Sequence, residues 1–152
     1  MLNERLLTEL RARNLSVLSM ADPTLVREVR SRDTQSIPPE VDAILDVKLV
    51  QACFATSWRS SGYSPTINVN AVVKDSHAGM DELMGYTYYA DNRDWGKQRR
   101  QFTVPANLTF KQTGDISANA VVVKEELERV IDRIVGLIVD DVHRHCTGQY
   151  PI

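Results

Sequence analysis

Three residues near the end of the last helical pattern have side chains that suit a metal ion. They are His143, His145 and Cys146, and imidazole and thiolate groups bind zinc or copper. Positions two apart on a helix point about 200° apart, so His143 and His145 can share an ion only if the helix ends before them. Cationic side chains at a helix C-terminus also interact favourably with the helix dipole. We therefore expect no metal site and no cofactor.

Three serines flank Trp58 and Arg59 in a predicted loop, and a serine is the nucleophile of a hydrolytic triad. Ser57, Ser60 and Ser61 lie in this stretch, but no Gly-x-Ser-x-Gly sequence supplies the strained turn that exposes a nucleophile. The glycines are scattered singly, so the sequence has no glycine-rich phosphate loop either. The residue types favour a non-catalytic role.

The most distinctive local signal is a run in which cationic and aromatic residues alternate, from Arg93 to Phe102. It contains Arg93, Trp95, Lys97, Arg99, Arg100 and Phe102. Such a run could be a solvated loop pinned to the sheet by its aromatics, a protein contact surface, or a base-stacking surface for single-stranded nucleic acid. Asp91 and Asp94 dilute the positive charge, and the chain as a whole is slightly acidic. We expect no nucleic-acid binding.

Tyrosines add a second aromatic group. Tyr86 and Tyr88 share one face of a predicted strand and Tyr89 lies on the other. A rigid, amphipathic tyrosine pair beside the arginine and tryptophan loop is typical of recognition surfaces. The predicted partner-binding surface therefore comprises Trp58, Arg59, Tyr63, Tyr86, Tyr88, Arg93, Trp95, Arg99 and Phe102.

Composition fits one globular domain spanning residues 1–152. The chain is 43% hydrophobic and 25% charged, with 18 Lys and Arg against 20 Asp and Glu, so its net charge is -2. That balance excludes a general basic field for nucleic acid or membranes. Its two cysteines, Cys53 and Cys146, are either two unpaired thiols or one disulfide closing a long loop. We expect unpaired thiols.

The elements that must position these residues follow from hydrophobic periodicity. In the first part of the chain, the pattern predicts a helix over 3–13, a brief strand over 15–20, a second helix over 22–31 and a linker over 32–40. Further on it predicts strands over 41–50, 67–74 and 83–90, with a break at 62–65 and a hairpin connection over 75–81. The stretch 91–115 is predicted to be a long loop with a short strand at 100–104. A helix over 119–145 follows.

This order predicts an α+β (mixed α/β) fold. Its single sheet contains an antiparallel hairpin and is covered by helices, including a long C-terminal helix. A leucine-rich helix that leads into a strand usually follows an earlier strand. The pattern therefore leaves open whether Met1 is the native start or an upstream strand and signal segment are missing.

Part of the sequence resembles small bacterial cell-envelope lipoproteins. The resemblance rests on the piece from Glu4 to Val17, the strand Val41-Asp42-Ala43-Ile44-Leu45-Asp46-Val47, and the hairpin formed by 67–75 and 83–90. The α/β domain of these lipoproteins is similar to the amino-terminal domain of the Tol translocation protein and to the curli-secretion lipoprotein. The signal peptide and lipid-bearing cysteine expected of such a lipoprotein do not occur in the sequence from Met1 onward, so the expected location depends on a missing upstream segment.

The resemblance implies a non-enzymatic protein of the periplasm or outer membrane that assembles with itself or with envelope proteins. It implies no catalytic residues, and membrane contact only through a missing N-terminal lipid anchor. We therefore expect an assembly or transport-accessory module that forms a homo-oligomer, with Trp95 near the contact and Arg93 and Arg99 at its rim. The alternative is a small enzyme or ligand-binding protein with a cleft between the hairpin and the final helix.

Overall fold

The computed structural model describes residues 2–17, 37–56, 62–76, 81–91 and 100–148. The helices among these residues are α1 (Leu2–Ala12), α2 (Thr113–Ala118) and the long α3 (Ala120–Cys146), and a 3-10 turn spans Ala106–Leu108. The strands are β1 (Ala43–Thr56), β2 (Tyr63–Asp75), β3 (Glu82–Ala90) and β4 (Arg100–Phe102). The fold is α+β, as the sequence predicts.

The four strands form one mixed sheet in the order β1-β2-β3-β4. β1 pairs antiparallel with β2, and β2 pairs antiparallel with β3, which confirms the predicted hairpin. β4 pairs parallel with β3, and its first residue, Arg100, lies opposite Tyr88. A β-bulge at Val50 interrupts the register between β1 and β2, because Leu49 lies opposite Val69 while Gln51 lies opposite Asn68.

The first hairpin is longer than the sequence predicts. The expected break over 62–65 is wrong, because Ser64 and Pro65 lie inside β2 and face Ala55 and Phe54 of β1. The first pair between β2 and β3 is at Ile67. Among the described residues, β2 therefore pairs at Pro65 with β1 alone, and a residue without an N–H is tolerated at such a place.

The core lies between the sheet and α3. The alternating residues Ile67, Val69, Ala71 and Val73 of β2 are all buried, as their period-two pattern predicts. They pack against the apolar side of α3, where Ile134 and Ile138 are fully buried. Full burial of a side chain of this size stabilises the fold by about 1.5–3 kcal/mol, so this layer holds the sheet and the helix together.

Helix α1 packs beside α3 through Leu6 and Leu10. Two arginines bind the same helix: Arg5 of α1 lies 2.5 Å from Asp132, and Arg13, directly after α1, lies 2.6 Å from Asp140. Because the residue numbers rise together along both helices, α1 and α3 run parallel. Asn14 has a φ of 60°, and this left-handed residue ends α1 as the sequence predicts.

Other predicted elements have mixed outcomes. Leu15–Val17 contains no strand, and the remainder of the predicted strand over 15–20 lies outside the described residues, as does the predicted helix over 22–31. In the stretch 91–115, β4 confirms the short strand predicted at 100–104, whereas the 3-10 turn and the start of α2 lie where a loop is predicted. The backbone N–H of Gln112 donates a hydrogen bond to the Asp115 carboxylate at 3.3 Å, which fixes the first turn of α2.

No helix among the described residues is long and apolar enough to cross a membrane.

Candidate functional site

The outer edge of β1 is the longest open feature of the sheet. Within the part of the chain that the structure describes, this strand of 14 residues has a partner on one side only. The opposite edge of the sheet, β4, is only 3 residues long. Edge strands present unpaired backbone N–H and C=O groups that can bind a further strand. The β1 edge is therefore the main candidate for binding another chain.

Side chains near the middle of β1 are unusually exposed. Leu49 is 52% exposed and Val50 is 48% exposed, and both are large apolar residues. Leu45, Val47 and Leu49 lie on the sheet face that carries α3, because they are opposite Val73, Ala71 and Val69 of β2. Asp46 and Lys48 lie on the other face, opposite Val72 and Asn70. The edge thus combines apolar residues on one face with two opposite charges on the other.

A polar network joins the strands at the other edge of the sheet, β3 and β4, to α3. Asp141 of α3 is only 6% exposed. Its carboxylate accepts a hydrogen bond from the Tyr88 hydroxyl at 2.9 Å and two from the Arg100 guanidinium, each at 2.9 Å. Arg144 lies at 3.9 Å from the same carboxylate. The network connects β3, β4 and α3.

The pKa values of Tyr88 and Arg100 are both raised, which keeps each side chain in the protonated form that donates hydrogen bonds to Asp141. Burial, and then the hydrogen bond to Asp141, raise the pKa of Tyr88 far above its ordinary value, so its hydroxyl stays protonated. Partial burial alone would lower the pKa of Arg100, but the hydrogen bond and charge of Asp141 outweigh that effect and raise it. Both donors of the carboxylate are therefore held in their donating forms.

Tyr86 extends the network to the surface. Its ring lies edge-on to that of Tyr88, with the two ring centroids 6.4 Å apart, which is within the usual range of about 4.5–7 Å for aromatic pairs. The Arg100 guanidinium lies over the Tyr86 ring, 4.8 Å from its centroid. Tyr86 is half-buried, so it forms the outer wall of this cluster. The predicted common face of Tyr86 and Tyr88 is confirmed.

Chemically, the network is saturated by its own members. The Asp141 carboxylate accepts hydrogen bonds from Tyr88 and Arg100, and Tyr88 is fully buried. A general base or nucleophile must reach a substrate atom within hydrogen-bond distance. The geometry here supports a structural connection between the sheet and α3.

A shallow groove lies elsewhere, between α1 and α3. Its lining comprises Glu4, Arg5, Thr8, Glu9, Asp132, Val135 and Gly136, around a volume of about 440 Å³. Arg5 already binds Asp132 there and donates a hydrogen bond to the Glu128 carbonyl at 3.1 Å. This groove is not the cleft between the hairpin and the final helix that the alternative function would use.

The predicted partner-binding residues fall into three groups. Trp58, Arg59, Arg93, Trp95 and Arg99 lie outside the described residues.

Tyr88 and Phe102 are buried, so their side chains support the surface and do not form it. The Arg133 guanidinium covers the Phe102 ring at 4.8 Å from its centroid. A partner could reach either ring only by opening the core.

Tyr63 and Tyr86 remain half-buried at the surface. The backbone of Tyr63 exchanges two hydrogen bonds with Phe110, at 2.6 Å and 2.9 Å. Gly62 permits this bridge, because a Cβ added there would lie 2.7 Å from the Phe110 carbonyl oxygen. Tyr63 and Tyr86 are therefore the sequence-predicted residues that the described structure leaves accessible.

Metal-ligating residues do not cluster in the described part of the chain, where no group of three or more His, Cys, Asp or Glu side chains could hold an ion. Cys53 on β1 and Cys146 at the end of α3 are free, exposed thiols.

Asp141 is not among the residues predicted from the sequence, although the sequence contains a signal for it. Asp141 lies three residues after Ile138 and one before Val142, so it falls within the apolar stripe of α3. A charged residue in such a stripe requires a buried partner. The partners are Tyr88 and Arg100, which are 53 and 41 positions away in the chain.

No family model, curated protein or solved structure matches this chain.

Proposed function

We propose that this protein is a non-catalytic assembly module that binds other protein chains through the β1 edge of its sheet. The observation that carries the proposal is the β1 edge itself, a strand of 14 residues with one partner strand among the described residues. Backbone groups along such an edge bind an added strand, and neighbouring side chains select it. Leu49 and Val50 supply exposed apolar surface at its centre.

The polar network supports a binding role over a catalytic one. Tyr88 and Arg100 both bind the buried Asp141, and Asp132 in the groove between α1 and α3 already binds Arg5. The alternative, an enzyme or ligand-binding protein with a cleft between the hairpin and α3, would need convergent polar groups open to a ligand. Between the hairpin and α3, Tyr88 and Arg100 already donate their hydrogen bonds to the buried Asp141 carboxylate.

The cellular setting of the proposal is the bacterial cell envelope, in the periplasm or at the outer membrane. It rests on the resemblance of the Val41–Val47 strand and the following hairpin to envelope lipoproteins. In that setting the module would bind a second copy of itself or an envelope protein. Trp95, with Arg93 and Arg99, remains the proposed second contact.

Site-specific photo-crosslinking in cells tests the proposal. A photoreactive amino acid at Val50 is expected to produce a discrete crosslinked species, because Val50 lies on the β1 edge. The same amino acid at Val121, which is 72% exposed on α3, is the matched control and should give no discrete species. A charged residue on an edge strand discourages pairing, so Leu49→Lys should remove the crosslink at Val50.

Crosslinking from Val50 that equals the background at Val121 would contradict the proposal. A crosslinked species that persists unchanged in Leu49→Lys would also contradict it, because the contact would then not use the edge.

A further inference from the structure

We propose that the β1 edge binds the β1 edge of a second copy of this chain. The two strands run antiparallel, and the two Val47 residues face each other across the two-fold axis. The inference rests on the proposed function and specifies its partner. It follows from the order of side chains on β1 and from the symmetry that two identical strands must obey.

Symmetry restricts the pairing first. Two identical antiparallel strands related by a two-fold axis perpendicular to the sheet place one residue directly opposite its own copy. A residue that lies a given number of positions before this central residue then faces, in the other copy, the residue that lies the same number of positions after it. The choice of the central residue therefore fixes all the contacts.

Charge selects the central residue. A centre at Asp46 would place two carboxylates opposite each other, and a centre at Lys48 would do the same with two ammonium groups. A centre at Val47 places Asp46 of each copy opposite Lys48 of the other, on the sheet face where both side chains lie. Opposite charges in directly facing positions stabilise antiparallel pairs, and like charges destabilise them.

The apolar residues agree with the same register. With Val47 at the centre, Leu45 of each copy lies opposite Leu49 of the other, on the face that carries α3. Leu49, which is 52% exposed in the single chain, would gain an apolar neighbour. The run from Leu45 to Leu49 also lies entirely before the bulge at Val50, so its backbone is regular.

The assembly that results is a continuous sheet. The two 4-stranded sheets join edge to edge through their β1 strands, and the two α3 helices lie on the same face of the combined sheet. Because the contact is the same patch on both copies, the assembly closes as a dimer and does not extend into a fibre.

A charge-exchange experiment tests the register. Sedimentation analysis would measure the dimer dissociation constants of the wild type, Asp46→Lys, Lys48→Asp and the double variant that carries both. Each single change replaces two attractive pairs by two repulsive ones, so dimerisation should weaken by about tenfold or more. The double variant restores both pairs and should return the constant to within about threefold of the wild type.

Disulfide trapping gives an independent measurement. In a background with Cys53→Ser and Cys146→Ser, Val47→Cys places two thiols at a Cα separation of about 4.5–5.5 Å, within disulfide range. Gln51→Cys is the matched control on the same strand. Its two copies would lie roughly 27 Å apart and should not crosslink.

The outcomes separate this inference from the proposed function. Weakening in both single variants, recovery in the double variant and a Val47→Cys disulfide support the register. A wild-type monomer at every concentration, or a dimer that ignores the charge changes, overturns it. If the wild type is a monomer but Val50 still crosslinks to a different protein, the proposed function stands without the homodimer; if neither contact occurs, both fail.

Discussion

At the scale of single residues, Asp141 is the polar group that links β3 and β4 to α3. It is a buried carboxylate that receives hydrogen bonds from two strands, β3 through Tyr88 and β4 through Arg100. Breaking a buried, hydrogen-bonded charge pair destabilises a protein because the remaining partner keeps its desolvation penalty. Arg100 is 42% exposed, so water compensates part of that penalty.

Asp141→Asn is expected to lower the free energy of unfolding by about 1–3 kcal/mol, since the amide cannot accept from all three donors. Asp140→Asn is the matched control on the adjacent position. Its carboxylate is 38% exposed and binds Arg13 at the surface, so its loss should change the free energy of unfolding by about 0–1 kcal/mol. Urea denaturation followed by circular dichroism measures both, and equal losses in the two variants would show that Asp141 has no special role.

Tyr88 gives the fold a pH dependence at alkaline pH. In the unfolded chain a tyrosine loses its proton near pH 10, whereas burial and Asp141 raise the pKa of Tyr88 in the folded protein. The unfolded state then binds fewer protons, so the contribution of Tyr88 to stability is complete below pH 10 and is lost as the pH rises above it.

The expected difference between wild type and Tyr88→Phe is a slope of up to about 1.4 kcal/mol per pH unit above pH 10. Tyr88→Phe should show the shallower decline, because its ring has no proton to lose. Denaturation curves from pH 8 to pH 11 measure this difference, and parallel curves would contradict the buried hydroxyl.

At the scale of elements, the first hairpin shows what sequence patterns can and cannot predict. The alternation of Ile67, Val69, Ala71 and Val73 predicts β2 because all four side chains enter the same core. The extension of β2 back to Tyr63 could not be predicted, since Gly62 and Pro65 signal a break in isolation. Gly62 allows the Phe110 backbone to pair with Tyr63, a contact between distant parts of the chain. Pro65 is tolerated because the pairing of β2 with β3 begins only at Ile67.

The same reasoning applies to α3 and to the polar network. The apolar stripe from Val123 to Val142 predicts the helix almost to its ends, because the pattern is local. The network of Asp141 with Tyr88 and Arg100 was missed, since its members meet only after the sheet and α3 have packed together. The parallel direction of β4 was missed for the same reason.

Gly62→Ala tests the contact that lengthens the hairpin. The new Cβ would lie 2.7 Å from a backbone oxygen, which cannot move aside as a side chain can. We expect the free energy of unfolding to fall by about 1–3 kcal/mol through local overpacking.

Gly136→Ala is the control, because nothing lies within 4 Å of its added Cβ and it is inside α3. It should raise the stability by about 1 kcal/mol, through the higher helix propensity of alanine. Thermal unfolding compares the two variants, and a neutral or stabilising Gly62→Ala would refute the close approach.

At the scale of the whole molecule, one hydrophobic cluster includes residues from both ends of the described chain. Leu6 and Leu10 of α1 belong to the same buried cluster as Val142 of α3 and the residues of β2. A shared core of this kind is what a single domain requires. The single-domain organisation over 1–152 remains a prediction of the sequence analysis.

The parallel arrangement of α1 and α3 determines how the molecule would respond to mechanical load. Arg5 is level with Asp132 and Arg13 is level with Asp140, so the start of α1 and the end of α3 lie at opposite ends of the helix pair. Tension applied between those two ends would slide one helix along the other. Under such shear, the leucine contacts and both ion pairs bear the force together, whereas peeling would break them one at a time.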